Sequence, residues 1–279
     1  MKAIKLASIF AVSAVAAAVS TTTMAAEGVF SGTAGLNYVL TDGAQEWVSE
    51  GEVNITIDTG VVYVDLDMED ESTAGSDGGF DLDEIYIKQG AVKFGDFDGS
   101  ISDDAVTGTG VYLEDTEYSD GSVTDLGIQY AVSDELTVAL EMAEGYDGFG
   151  FAASFSTDLE ALTLKASAGS YSGEDVSTAT DLETTNFTVG VEATAGIATL
   201  GASYSAGTTD DVDFSVMVLG ADFAISEAVS FSAQYNSDIE NEVNNLEITA
   251  YYTAGDVTYY AANVSGDAEA TVLGAYVSF

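Results

Sequence analysis

The sequence predicts an all-β protein, a transmembrane antiparallel β-barrel of sixteen strands with an inserted loop between strands 5 and 6. Three observations predict it. Apolar and polar residues alternate with a period of two along most of the chain, short and long connections alternate between the segments, and the last segment ends in the aromatic Phe279. Period-two alternation is typical of strands whose two faces meet different surroundings.

The first 25 residues have the pattern of an export signal. Two lysines precede an uncharged run at 6–19, and small residues follow up to Ala25. A membrane-spanning helix needs about 20 apolar residues, so this run is too short to be one. The pattern predicts a signal peptide at 1–25 that is cleaved after Ala25. The barrel is then expected to occupy 26–279.

Sixteen segments with strand-like alternation follow, separated by Gly, Asp, Asn and Ser. In the third segment, for example, Val62, Val64 and Leu66 share one face. No helical heptad and no change in composition marks a second domain. The expected segments are 28–40, 52–58, 61–68, 80–88, 91–97, 122–132, 136–143, 148–156, 161–170, 184–193, 196–206, 211–223, 228–237, 245–253, 256–264 and 269–279.

Connections after the even-numbered segments are short, such as 59–60, 89–90 and 254–255. Connections after odd-numbered segments are mostly longer. A transmembrane barrel has short turns on one side and longer loops on the other, so this pattern favours a barrel over a soluble sandwich. We expect both chain ends on the side of the short turns. The longer connections are 41–51, 69–79, 98–121, 171–183 and 238–244.

The charge of the chain is extreme. There are 48 acidic residues against five basic ones, with a formal net charge of −43 and no Arg or His. Nucleic acid is therefore excluded as a partner. With no cysteine, no disulfide stabilises the fold. The missing His and Arg remove most schemes for nucleophilic catalysis, and we expect no enzymatic activity.

Alternation places the few lysines on one predicted face. Beyond the signal region the basic residues are Lys88, Lys93 and Lys165, each opposite apolar neighbours in its segment. Asp65 and Asp67 lie opposite the apolar face of the third segment. A lysine facing lipid at mid-membrane costs roughly 2–4 kcal/mol, and sixteen strands enclose water. We therefore expect these five side chains to line the wall of a pore.

Two stretches resemble known barrels. The closing segment 271–279 resembles the last strand of bacterial outer-membrane barrels, in which the terminal aromatic, here Phe279, belongs to the assembly signal. The run 92–100 contains Gly-Asp-Phe-Asp-Gly and is similar to the end of strand 5 in the general porin family, which are trimeric sixteen-stranded diffusion channels. The resemblance implies a location in the outer membrane of a Gram-negative bacterium, contact with outer-membrane lipid, and a homotrimer. It also implies passive passage of ions and small hydrophilic solutes.

The resemblance further implies that the loop at 98–121 folds into the barrel and narrows it. Porins usually place arginines on the wall opposite this loop, and this chain has none, so the field across the constriction is expected to be weak. Carboxylates concentrate cations, which predicts a cation-preferring pore. The alternative is a solvated acidic loop outside the pore. The candidate constriction residues are Asp103, Asp104, Glu114, Asp115 and Glu117.

The acidic stretch 96–104 superficially resembles a calcium loop. An EF-hand needs Gly at position 6 and Glu at position 12, where this chain has Ile101 and Thr107. The EF-hand is therefore rejected. Loosely bound calcium, with Asp96 and Asp98 as ligands, is retained as an alternative, and no other cofactor is expected.

Two other classes of function compete with a pore. A secreted, acidic, soluble β-protein, such as an adhesin or a calcium-dependent surface component, would show the same alternation in a half-buried sheet. An enzyme inside a barrel is the third class. Paired carboxylates could serve glycoside hydrolysis, but among 48 acidic residues such a pair has no specificity. Fractionation with outer membranes separates the first two classes.

Overall fold

Sixteen strands form one closed antiparallel barrel in which each strand pairs with its neighbours in sequence order. The predicted fold class is confirmed. The computed structural model describes residues 27–41, 44–69, 81–97, 99–105 and 124–279. The strands are β1 (Glu27–Thr41), β2 (Ala44–Asp58), β3 (Val62–Glu69), β4 (Asp81–Gln89), β5 (Val92–Asp96), β6 (Thr124–Ala131), β7 (Leu136–Ala143), β8 (Tyr146–Leu159), β9 (Leu162–Asp175), β10 (Asp181–Ala195), β11 (Ala198–Thr209), β12 (Val212–Ser226), β13 (Val229–Asp238), β14 (Val243–Ala254), β15 (Val257–Gly266) and β16 (Ala270–Ser278).

The barrel closes where β1 pairs with β16. Thr41 lies opposite Ala270, and the pairing runs without interruption to Thr33 opposite Ser278. One step further, Gly32 and Phe279 exchange two backbone hydrogen bonds of 3.0 Å each. This pairing joins the first and last strands into a closed ring, while residues 27–31 of β1 extend past the last residue of β16.

The two faces of the wall differ in chemistry. On β8, the large apolar side chains of Phe149, Phe151 and Phe155 are exposed, whereas Ala152 on the other face is buried. Similar exposed apolar residues recur on strands around the barrel. A continuous exposed apolar face is typical of a surface that meets lipid. Among the described residues, no helix is long and apolar enough to cross a membrane.

Tight turns join the even-numbered strands to the strands that follow them. Gly90 and Gly255, with φ of 62° and 65°, adopt the left-handed conformation that these turns require. The expected short turns at 89–90 and 254–255 are therefore present, each within one residue. Both ends of the barrel sequence lie on this side, since Glu27 pairs with Asp58 beside the turn at 59–61.

Three of the predicted long connections are wrong in extent. The expected loop at 41–51 is mostly strand, since β2 pairs with β1 from Ala44 onward. The connections expected at 171–183 and 238–244 shrink to 176–180 and 239–242. The strands continue beyond the region of clear alternation, because polar residues on both faces cost nothing where both meet water. The backbone ladder persists there although the sequence pattern does not.

The longest connection joins β5 to β6 and covers 97–123, close to the predicted 98–121. Its residues 98 and 106–123 lie outside the described part of the chain, as do 70–80 between β3 and β4. The predicted signal peptide at 1–25 also lies outside the described residues, and it stays a prediction.

The closing strand gives the first testable prediction. Deleting Phe279 removes two backbone hydrogen bonds, worth about 1 kcal/mol each, and its ring contact with Phe30 at 5.8 Å between centroids. Phe279→Ser removes only the ring contact. We expect the deletion to lower the urea midpoint of refolded, SDS-resistant barrel by more than Phe279→Ser does. Equal midpoints for the deletion and the parent protein would contradict this account of closure.

Candidate functional site: the lumen and its loop

The connection after β5 turns into the barrel. Its residues 99–105, called the lumen segment below, include Ile101, Ser102 and Ala105, which are almost completely buried. The segment contacts β7, β9 and β10 on the face opposite their exposed apolar side chains. Residues 99–105 therefore lie against the inner wall, and the prediction that the whole loop 98–121 narrows the barrel stays a prediction.

One carboxylate on β7 receives hydrogen bonds from both ends of the connection. Ser100 Oγ lies 3.0 and 2.8 Å from the two carboxylate oxygens of Glu141, and the Ile101 N–H donates to Glu141 Oε1 at 3.2 Å. Thr124, the first residue of β6, donates its hydroxyl to Glu141 Oε2 at 3.2 Å. Sequence reasoning missed Glu141, because one carboxylate among 48 carries no distinguishing pattern.

The far side of the lumen segment is bound to β9 and β10. The Asn186 side-chain amide donates to Ser102 Oγ at 2.8 Å and to Asp103 Oδ1 at 2.9 Å. The Ser167 hydroxyl donates to the carbonyl oxygen of Ser102. Asp103 is thus fixed at the wall. Neither Asn186 nor Ser167 was predicted from sequence, because no local pattern shows a contact made across more than 60 residues of chain.

Asp104 is the second predicted constriction residue that the structure places in the lumen. Its side chain is accessible from the lumen, and the surrounding wall removes part of the water that would solvate a free carboxylate. This desolvation raises the pKa of Asp104. A hydrogen bond from Ser154 and the charges of Lys165 and Lys93 act in the opposite direction on the pKa. The positive charges of Lys165 and Lys93 on the wall therefore act on the carboxylate of Asp104 in the lumen segment.

The other three predicted constriction residues, Glu114, Asp115 and Glu117, lie outside the described residues. Their role stays a prediction. The structure therefore brings together only part of the predicted set, Asp103 and Asp104.

Lys88 and Lys93 lie beside a pair of stacked tyrosines. Lys88 Nζ is 2.8 Å from Asp58 Oδ2, and it lies 5.0 Å from the centroid of Tyr63 and 5.6 Å from that of Tyr86. Lys93 Nζ lies 5.0 Å from the Tyr86 centroid. The two rings stack at 4.7 Å between centroids. Because the faces of aromatic rings attract cations, Tyr63 and Tyr86 hold both ammonium groups close to the wall.

The remaining predicted wall residues lie on the same face of the sheet. The carboxylate of Asp65 accepts hydrogen bonds from Thr56 Oγ1 at 3.2 Å and from the Tyr63 hydroxyl at 3.1 Å. Asp67 is two residues further along β3 and shares that face. Lys165 lies opposite Gly190 of β10, which is itself buried beneath the lumen segment.

The predicted calcium ligands are described only in part. Asp96 ends β5, and Asp98 lies outside the described residues. Within the ranges that the structure describes, no three His, Cys, Asp or Glu side chains come close enough together to hold a metal ion. Calcium binding by Asp96 and Asp98 stays a prediction.

The structure is thus a closed barrel of sixteen strands with residues 99–105 against its inner wall. Neither a protein-family model nor a curated protein matches the sequence. Solved structures do match the fold. A triple mutant of Rhodopseudomonas blastica porin is 16% identical with a TM-score of 0.63, and the match covers 91% of this chain and all of that one.

A second similar structure is OmpT, an outer membrane protein of Vibrio cholerae, in its trimer form. It is 15% identical with a TM-score of 0.62, and the match again covers 91% of this chain and 100% of the other. Identities this low establish likeness of fold alone. The resemblance to porins predicted from the sequence is confirmed at that level.

The second testable prediction concerns the protonation of Asp104. Because desolvation raises its pKa, the Asp104 carboxyl should lose its charge at a higher pH than an ordinary aspartate, whose pKa is 3.8. Carbon-13 NMR of the labelled carboxyl in detergent measures this directly. In Lys165→Met the midpoint should rise further, because a charge that lowers the pKa is gone. A midpoint at or below 3.8 in the parent protein would contradict the described environment.

Proposed function

We propose that this chain is a passive porin that lets ions and small hydrophilic solutes cross the outer membrane of a Gram-negative bacterium, with a preference for cations. One observation carries the proposal: an acidic segment lies against the inner wall of a closed, outwardly apolar barrel. A wall of this kind separates lipid from water, and a loop inside it narrows the water-filled path. Such a channel needs no catalytic residue, and we propose none.

The preference for cations follows from the charges that reach the lumen. Asp103 and Asp104 lie on the lumen segment, while Lys88 is paired with Asp58 at 2.8 Å. The adjacent carboxylate of Asp58 offsets the positive charge of Lys88, so the pair adds little net repulsion of a passing cation. Carboxylates in a narrow, low-dielectric passage raise the local concentration of cations and exclude anions. Lys93 and Lys165 weaken this field without reversing it, since acidic residues far outnumber them.

The outer face supports a membrane location and argues against the soluble alternative. Phe151 is 63% exposed and Trp47 is 66% exposed, although both are large and apolar. A secreted adhesin would expose these side chains to water, whereas outer-membrane lipid or a second copy of the chain would cover them. We propose that the chain forms a homotrimer, and the trimer form of the similar Vibrio cholerae protein supports this.

The third testable prediction separates charge at the lumen segment from charge elsewhere. In Asp103→Asn with Asp104→Asn, two carboxylates are removed from the lumen segment. The reversal potential in a KCl gradient across a planar bilayer should then move toward zero. Adding Glu114→Gln, Asp115→Asn and Glu117→Gln should move it further.

A matched control removes the same two charges from an exposed hairpin, in Asp210→Asn with Asp211→Asn. We expect a much smaller shift there. Raising KCl should weaken the parent preference, because the Debye length falls from about 10 Å at 0.1 M to about 3 Å at 1 M. Equal shifts from the two double variants would contradict the assignment of the lumen segment to the constriction.

A further inference from the structure

We propose that Glu141, Gly169 and Gly190 are positioning residues that hold the lumen segment in one place and thereby set the aperture of the pore. The proposal rests on the proposed function and assigns part of the selectivity of the channel to residues that a passing ion does not touch. Two kinds of contact carry it: hydrogen bonds at one end of the segment and close steric fit at the other.

Glu141 holds the start of the segment. Its carboxylate accepts from Ser100, from the Ile101 backbone and from Thr124, so the entry and the exit of the connection are tied to one buried group. Only 8% of its surface is exposed. A buried carboxylate that receives several hydrogen bonds has a fixed orientation, and the chain bound to it is fixed as well.

Gly169 on β9 makes room for the middle of the segment. A Cβ at this position would lie 2.7 Å from Ser102 Cβ and 3.0 Å from Ser102 Oγ. It would also approach Asn186 Oδ1 at 3.0 Å, on the side chain that binds Ser102 and Asp103. An alanine at 169 would therefore push on both the segment and its hydrogen-bond partner.

Gly190 on β10 makes room for the end of the described segment. A Cβ there would overlap the carbonyl oxygen of Ala105, which is backbone and has no rotamer to escape into. Neither Gly169 nor Gly190 has a positive φ, so the backbone conformation at both sites is one that alanine can adopt. An alanine there would be strained only because its Cβ lacks space. The segment rests directly on the strands, and only glycine permits that distance.

These contacts lie at 100–101, 102 and 105, so the described segment is held near its start, in its middle and at its end. A segment held at several points has one position, and we expect a pore narrowed by it to have one conductance. Replacing either glycine of the wall should alter the aperture without adding or removing a charge. The glycine variants therefore separate the effect of positioning from the effect of charge.

The test records single-channel conductance in planar bilayers and permeation of neutral sugars of increasing size into liposomes. In Glu141→Ala the segment is released, so conductance, open-channel noise and the sugar size limit should all rise. Glu141→Gln keeps the size and one acceptor, and it should give an intermediate result. Gly169→Ala and Gly190→Ala should replace the single conductance level with a shifted or noisier one.

Two controls match these changes. Gly51→Ala places a Cβ on a strand where nothing lies within 4 Å, so the conductance level and sugar size limit should stay as in the parent. Glu192→Gln removes a carboxylate of β10 for which no contact with the lumen segment is found among the described residues. It should shift the reversal potential slightly and leave the noise and sugar limit unchanged. Heat-modifiable migration on SDS gels, with the folded form resisting SDS until it is heated, verifies that each variant is a closed barrel.

A second readout does not depend on conduction. The chain has no cysteine, so spin labels can be placed at Asp104→Cys in the segment and Asp211→Cys on an exposed hairpin. We expect a narrow distribution of distances in this labelled parent, a broad one when Glu141→Ala is added, and a narrow one when Gly51→Ala is added.

The outcomes separate the two proposals. If the parent protein conducts but all the wall variants match it in conductance, sugar limit and distance width, the positioning role is overturned and the channel function stands. If the parent protein forms no channel yet Glu141→Ala broadens the distances, the proposed function falls and the positioning role is supported.

Discussion

Closure of the sheet between β1 and β16 is the constraint on which the rest of the structure depends. In a bilayer an unsatisfied backbone group costs several kcal/mol, so a spanning sheet must have no edge. The pairing from Thr41 opposite Ala270 to Gly32 opposite Phe279 joins the first and last strands into a closed ring. Once the ring is closed, strand parity decides which side chains meet the lumen, and a slip of one residue would exchange the two faces.

Closure of the sheet creates the lumen, and the inner wall of the lumen determines where the loop after β5 can lie. A backbone that enters the barrel must satisfy its polar groups on the wall, and Glu141, Asn186 and Ser167 supply the partners. Glycines at 169 and 190 let the segment lie close enough to reach them. Burial of the Glu141 carboxylate with few cations nearby costs desolvation free energy. The hydrogen bonds that Glu141 receives offset this cost.

The sequence predicts the parts of this structure that depend on period two. The alternation in β3 and the terminal Phe279 are local signals. Together with the spacing of the turns, they predict sixteen strands that pair in sequence order. The same parity places Lys88, Lys93 and Lys165 on one face. The first half of β2 was missed because its polar residues occupy both faces, where a strand continues into water on both sides.

The contacts of the lumen segment could not be predicted for a different reason. Ser100 and Glu141 are 41 residues apart, and Asn186 and Asp103 are 83 apart, so their meeting depends on the curvature of the whole wall. Gly190 looks in the sequence like any strand glycine. Its role becomes visible only when the carbonyl oxygen of Ala105 is found against it.

The central claim is that the closed barrel encloses a continuous path for ions across a membrane. Purified protein added to a planar lipid bilayer in KCl tests this most directly. The account predicts discrete, long-lived steps of current whose size scales with salt concentration. Folded, heat-modifiable protein that enters the bilayer and gives no steps would contradict it.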